Sequence, residues 1–216
     1  MAREAQRLFV LAGVNGAGKS SIGGAMLRSR GAQYFNPDEA ARIIRTANPK
    51  LTPREANGLA WNEGRRLLER AIAERLDFAF ESTLGASTIP RLLAQAADAG
   101  TEVWIWFVGL DSPERHLERV RARVKAGGHD IPEADIRRRW DASRQNLVAL
   151  LPKLERLYLY DNSEEADPRA GAAPRPRLIL ETRRGRIVGP QDLRATPAWA
   201  KPIVARALQR AAAPRR

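Results

Sequence analysis

The chain has 216 residues, 44% of them apolar, which is enough for a continuous buried core and excludes a collagen-like, coiled-coil or disordered chain. With no cysteine and only two histidines, His116 and His129, disulfides, thiolate nucleophiles and Cys- or His-built metal sites are excluded, so any chemistry falls to carboxylates, hydroxyls, lysine, arginine and a ligand-borne metal. The net charge of +12 suggests a polyanion partner, but residues 1–166 carry 25 basic and 22 acidic side chains against 12 and 3 in residues 167–216. The excess thus belongs to the C-terminal quarter, where no stacking aromatics interleave with it, and it reads as a solvated basic surface rather than a nucleic-acid face. No apolar run approaches a membrane span, and the opening MAREAQRLFVLAG breaks at a glycine before a signal core is complete, so the expectation is a cytoplasmic chain with no membrane partner.

Strands and helices alternate, which predicts a parallel sheet covered on both faces. Leu8–Ala12 is a first strand, followed by a glycine-rich turn and a helix from Lys19 to about Ser29. A second strand near Gln33–Phe35 runs into Asn36-Pro37-Asp38-Glu39, an N-cap followed by proline and first-turn acids. Thr52-Pro53-Arg54-Glu55 is a capping box opening a helix to about Arg75, with Leu59, Leu67, Leu68, Ala71 and Ile72 on its inner side. Phe78–Glu81 is the third strand, Ile89–Ala99 a helix closed by Gly100, and Glu102–Val108 the fourth strand. Ser112-Pro113 starts a helix through Lys125, Gly127-Gly128 interrupts it, and a further helix runs from about Pro132 toward Leu151. Arg156–Tyr160 is the fifth strand, 164–176 a loop, Arg177–Thr182 and Arg186–Val188 a hairpin, and Thr196-Pro197 starts a closing helix with Trp199, Ile203 and Leu208 at near-helical spacing.

Gly13-Val14-Asn15-Gly16-Ala17-Gly18-Lys19-Ser20 satisfies G-x-x-x-x-G-K-S between a strand and a helix. In such a loop the glycines let successive N–H groups point at phosphate oxygens, the following helix adds its positive end, Lys19 places a charge at the outer phosphates, and the Ser20 hydroxyl reaches Mg²⁺. The motif implies ATP or GTP with magnesium, with Gly13, Asn15, Gly16, Ala17, Gly18, Lys19 and Ser20 as nucleotide-binding residues.

In a parallel sheet, reactive groups gather at the carboxyl ends of strands. Asp38 follows the second strand and Glu81 ends the third, with Thr83 in the next loop. Glu81 closes so apolar a strand that its carboxylate must meet water, a cation or a ligand hydroxyl; Asp38 is either a reactive carboxylate or a helix-start residue. Arg115, Arg119 and Arg123 recur on one helix face, and Arg137, Arg138 and Arg139 return beyond the glycine pair, which suits a lid closing over a polyphosphate. His129, beside those glycines, reads as a loop or capping residue.

Five pieces together, GVNGAGKS, FNPDEAA, FESTLG, VGLDSPERHLERVRARVKAGGHDIPEADIRRRW and LYLYDNS, resemble the zeta-toxin-like family of P-loop kinases over roughly residues 8–163. The resemblance implies an α/β, nucleoside-kinase-like three-layer sandwich with a five-stranded parallel core over residues 1–163; the arginine pattern puts a lid at about 115–140, and the basic extension, 164–216, which the five pieces do not cover, is expected to pack on the core as a hairpin plus helix. It also implies transfer of a nucleotide γ-phosphate to a sugar hydroxyl, in the toxins that of UDP-N-acetylglucosamine, and an antitoxin protein as a partner. On that reading Lys19 is the phosphate-loop lysine, Asp38 the base, Glu81 and Thr83 the substrate-holding pair, and Arg123 with Arg137 or Arg138 the phosphate-neutralising arginines. The chain is shorter than the plasmid-borne toxins, leaving open another acceptor, such as a different sugar, a nucleoside, an antibiotic or a polynucleotide end, or nucleotide-gated binding without transfer.

Overall fold

In the computed structural model, residues 5–19, 33–164 and 176–212 are described. Ser20, the body of the helix expected after Lys19, and nearly all of the 164–176 loop lie outside the described residues. Strands β1 (Arg7–Ala12), β2 (Gln33–Phe35), β3 (Phe78–Ser82), β4 (Glu102–Gly109) and β5 (Arg156–Asp161) run parallel in the order β2-β3-β1-β4-β5. The sheet has seven strands, not five: β6 (Arg177–Arg183) and β7 (Arg186–Gly189) continue it antiparallel from β5. A sheet ending at β5 would leave a full strand of backbone N–H and C=O groups unpaired, and the hairpin satisfies them.

The strands are apolar on both sides, as parallel strands covered on two faces must be. Leu8, Val10 and Ala12 of β1 join Val103, Ile105 and Phe107 of β4 in the main core, while Phe9 and Leu11 pack with Trp106 and Val108 on the opposite face. The main core is covered by α2 (Pro53–Glu74), α3 (Thr88–Asp98), α5 (Glu133–Leu150) and α6 (Lys201–Ala212). Two further helices, α1 (Pro37–Ala47) and α4 (Pro113–Lys125), stand over the carboxyl-end side, where β1 and β2 feed their loops.

Local signals act as read. Asn36 caps α1, accepting from the N–H groups of Asp38 at 2.9 Å and Glu39 at 3.2 Å, and Thr52 with Glu55 forms a reciprocal capping box on α2. Two inner-side expectations fail. Leu59 is 48% exposed, because the first half of α2 packs an alanine stripe, Ala56 and Ala60, against Ala41 of α1 instead of facing the sheet. Leu208 is 49% exposed, because α6 and the turn before it bury Trp199, Ile203 and Ala207, four apart, and position 208 falls just beyond that stripe. Among the described residues no helix is long and apolar enough to cross a membrane.

Candidate active site

The phosphate loop leaves β1 and is shaped by glycine. Gly13 has φ +139°, and a Cβ there would lie 2.2 Å from the Val108 carbonyl oxygen; Gly18 has φ +86°, and a Cβ would meet the Asn162 side chain at 2.5 Å. Only glycine tolerates both the left-handed backbone and the close approach. The loop is held from four sides. Gly13 N–H donates to Ser82 O at 3.2 Å, Asn162 Nδ2 to Ala17 O at 2.9 Å, and Arg139 Nη1 to Asn15 Oδ1 at 2.9 Å. The fourth hold is His116, whose Nδ1 is 2.8 Å from Asn15 O. A carbonyl only accepts, so Nδ1 carries the hydrogen. His116 is fully buried, and burial pushes its pKa down to about 4, so the ring is neutral. Lys19 Nζ donates to Gly13 O at 2.8 Å; burial pulls its ammonium below the ordinary lysine range, opposed by the nearby Glu81 and Asp38 carboxylates.

Opposite the loop, Glu81 at the end of β3 is buried, and its Oε1 accepts from the Tyr34 hydroxyl and from Asn36 Nδ2 at 3.0 Å. Asn36 therefore does two jobs, capping α1 through Oδ1 and fixing Glu81 through Nδ2. Thr83 Oγ1 accepts from Gly85 N–H at 3.2 Å, Leu84 sits at φ +51°, and Asn146 of α5 donates to Leu84 O at 2.6 Å. A cavity of about 340 Å³ opens between these parts, walled by Asn15, Asp38, Glu81, Thr83, His129 and Arg139, with Trp61 and Arg65 of α2 on its outer side. It therefore joins the phosphate loop to both carboxylates.

The arginines divide. Arg123 Nη1 stands 3.7 Å from Asp38 Oδ2, and its Nη2 donates to His129 O at 3.1 Å. Arg137, expected among the phosphate-neutralising candidates, is directed into a surface network, donating to Glu114 at 2.6 Å and Glu133 at 2.9 Å. Arg138 pairs with Asp135 at 2.8 Å. It is Arg139 that lines the cavity, and burial draws its guanidinium below the ordinary arginine value. Successive residues turn by about 100° on a helix, so only one of three neighbouring arginines faces a given wall.

Residues 8–148 match the profile of a family described as an AAA domain (AAA_33). The chain belongs to that family. A protein of Haemophilus influenzae (strain Rd) described as uncharacterized is 32% identical over 129 residues, 59% of this chain and 88% of its own length. Among solved structures, a chain of the AvrRxo1-ORF1:AvrRxo1-ORF2 complex with sulphate ions superposes with a TM-score of 0.63 at 15% identity, covering 91% of this chain. Our chain spans 63% of that one. A chain of the PezAT chromosomal toxin–antitoxin system of Streptococcus pneumoniae gives a TM-score of 0.56 at 15% identity, over 81% of this chain and 75% of its own. The fold is that of an AAA domain, shared in outline with both solved structures.

Several groups that shape this AAA domain's site were not singled out as site residues by the sequence, although four of them lie within the pieces that carry the resemblance. Tyr34, Asn36, His116, Arg139, Asn146 and Asn162 act through contacts across 45 or more residues of sequence, apart from the Asn36 cap, which was legible only as a cap. Ser20, expected at magnesium, lies outside the described residues, and among the described residues no group of three or more Asp, Glu or His side chains gathers to hold a metal.

Proposed function

We propose that this AAA domain is a phosphotransferase that moves the γ-phosphate of ATP or GTP to a hydroxyl of a small acceptor held in the 340 Å³ cavity. The observation that carries the reading is the shared wall: Asn15 of the phosphate loop faces the same space as Asp38, Glu81 and Thr83. In the transfer the acceptor oxygen attacks the γ-phosphorus, the bond to the bridging oxygen breaks toward the nucleoside diphosphate, and Asp38 accepts the hydroxyl proton. Glu81, its Oε1 occupied by Tyr34 and Asn36, offers Oε2 to the acceptor beside Thr83. Lys19, Arg123 and Arg139 supply positive charge on the nucleotide side, where charge develops on the transferring group. Mg²⁺ would arrive with the nucleotide phosphates, with Ser20 the protein ligand that the loop motif implies, and would neutralise charge on them.

The resemblance to zeta-toxin-like kinases makes the N-acetylglucosamine unit of UDP-N-acetylglucosamine the first acceptor to test, and a restraining antitoxin the corresponding partner. The test is incubation with labelled ATP or GTP, Mg²⁺ and a panel of hydroxyl acceptors, with product mass read out, alongside Lys19→Ala and Asp38→Asn. Lys19→Ala should abolish transfer with the fold intact; Asp38→Asn, near-isosteric but unable to take a proton, should lower kcat by roughly 10²–10⁴ with nucleotide affinity little changed. Full transfer in Asp38→Asn would remove it as the base, and turnover confined to water across a broad panel would overturn the transferase reading.

A further inference from the structure

Asp38 is flanked on both carboxylate oxygens by the segment that ends α4. Arg123 Nη1 faces Oδ2 at 3.7 Å, and His129 Nε2 faces Oδ1 at 3.8 Å. The imidazole has been brought there by a compact turn: Gly128 N–H donates to Arg123 O at 2.9 Å, and Arg123 Nη2 donates to His129 O at 3.1 Å. Gly128 is needed for that fold, since a Cβ on it would lie 2.7 Å from Arg123 Cγ. His129 Nε2 is itself buried and without a hydrogen-bond partner, although the ring lines the cavity. At 3.8 Å the pair is short of a hydrogen bond by about 1 Å, a gap that a small closure of the turn removes.

The two contacts differ in what nucleotide would do to them. Arg123 is a guanidinium whose stronger attraction is to a polyphosphate, so nucleotide binding takes it from Oδ2; a histidine on Oδ1 has no such competitor. We propose that His129 is the positioning residue of the base, holding Asp38 Oδ1 so that Oδ2, released by Arg123, meets the acceptor hydroxyl. The transferred proton goes to Oδ2 while Oδ1 accepts from Nε2–H, a bond made as the turn closes on Asp38. This rests on the reading of Asp38 as the base, and it gives the GGH turn a function that its sequence, read as a loop, does not suggest.

The test combines a spectroscopic and a kinetic arm. The chain has two histidines, so its imidazole ¹⁵N spectrum contains two rings, and His129→Ala identifies the one that matters. In the nucleotide-free chain Asp38→Asn should move the His129 Nε2 signal and leave His116 in place; with Mg²⁺ and a non-hydrolysable ATP analogue, the dependence on Asp38 should persist. An His129 signal indifferent to Asp38→Asn in both states overturns the proposal whether or not an acceptor is known. Kinetically, His129→Ala should lower kcat by about 10²-fold, the scale of a misplaced catalytic group, with nucleotide Kd unchanged. His129→Gln, which keeps a side-chain N–H donor, should recover most of that loss. In the Asp38→Asn background His129→Ala should add nothing, because the two act as a unit. Additive losses, or a Gln variant as poor as Ala, overturn the assignment of His129. Wild-type kcat in Asp38→Asn alone would instead overturn the base itself. Where no acceptor turns over, nucleotide hydrolysis to water is measured in the same variants.

Discussion

Replacing Trp199 by alanine separates a C-terminal helix that belongs to the core from one laid on the surface. The indole is 4% exposed, stacks on Phe107 with ring centroids 6.3 Å apart, and lies directly over Gly109 at the end of β4, where an added Cβ would come within 2.2 Å of it. Its Nε1 donates to Asp161 Oδ1 at 3.2 Å. Truncation removes the ring's transfer energy, opens a void bounded by β-sheet backbone that cannot collapse, and leaves Asp161 short of one donor. Phe or Trp to Ala in such a site costs about 3–5 kcal/mol, a large share of the roughly 5–15 kcal/mol that holds a domain together. For a chain of this length that corresponds to a fall in Tm of about 6–20 °C. Leu208→Ala is the control: at 49% exposure it should change stability by less than about 0.5 kcal/mol. Thermal and urea unfolding followed by circular dichroism would read both. A Trp199→Ala melt within a degree or two of wild type, or one matched by Leu208→Ala, would refute the assignment of α6 to the core.

Arg139→Ala should reduce transfer by roughly 10²-fold, whereas Arg137→Ala, removing a surface pair with Glu114 and Glu133, should leave kcat within about twofold; the reverse order would show that the arginine register is wrong. Tyr34→Phe leaves Glu81 Oε1 with Asn36 alone and should raise the acceptor KM more than it lowers kcat, a split visible in steady-state kinetics. His116, held neutral with its pKa pushed down to about 4 by burial, binds a proton more readily unfolded than folded. Its contribution is therefore present above the unfolded value near 6.5 and is lost as pH falls toward 4, about 2 kcal/mol of it by pH 5. Denaturant titrations at pH 7 and 5 should show that loss in the wild type and a flatter profile in His116→Gln; equal slopes would place the pH dependence elsewhere.

Much was legible along the chain because it is set by neighbours in sequence. The Asn36 cap, the Thr52–Glu55 box, the start of α4 at Pro113 and the hairpin around Gly185 each depend on a few adjacent residues, and the structure places each within a residue or two of the reading. The phosphate loop is legible for the same reason, since eight consecutive residues determine its curl. Exposure was less so: Leu59 and Leu208 follow helical spacing, yet which flank of a helix is covered depends on what packs there, and α1 rather than the sheet meets the first half of α2.

By itself the sequence determined the order of strands and helices, the phosphate loop and the carboxylates at strand ends, because these follow from backbone preference, periodicity and local motif. Only the tertiary structure decided that the hairpin extends the sheet to seven strands, that Arg139 of the arginine run lines the cavity, that Tyr34 and Asn36 hold Glu81, and that His129 stands against Asp38. Each of these depends on a distance between segments tens of residues apart or on a rotation of 100° about a helix axis, and one-dimensional spacing contains neither until the sheet and its covering helices fix both.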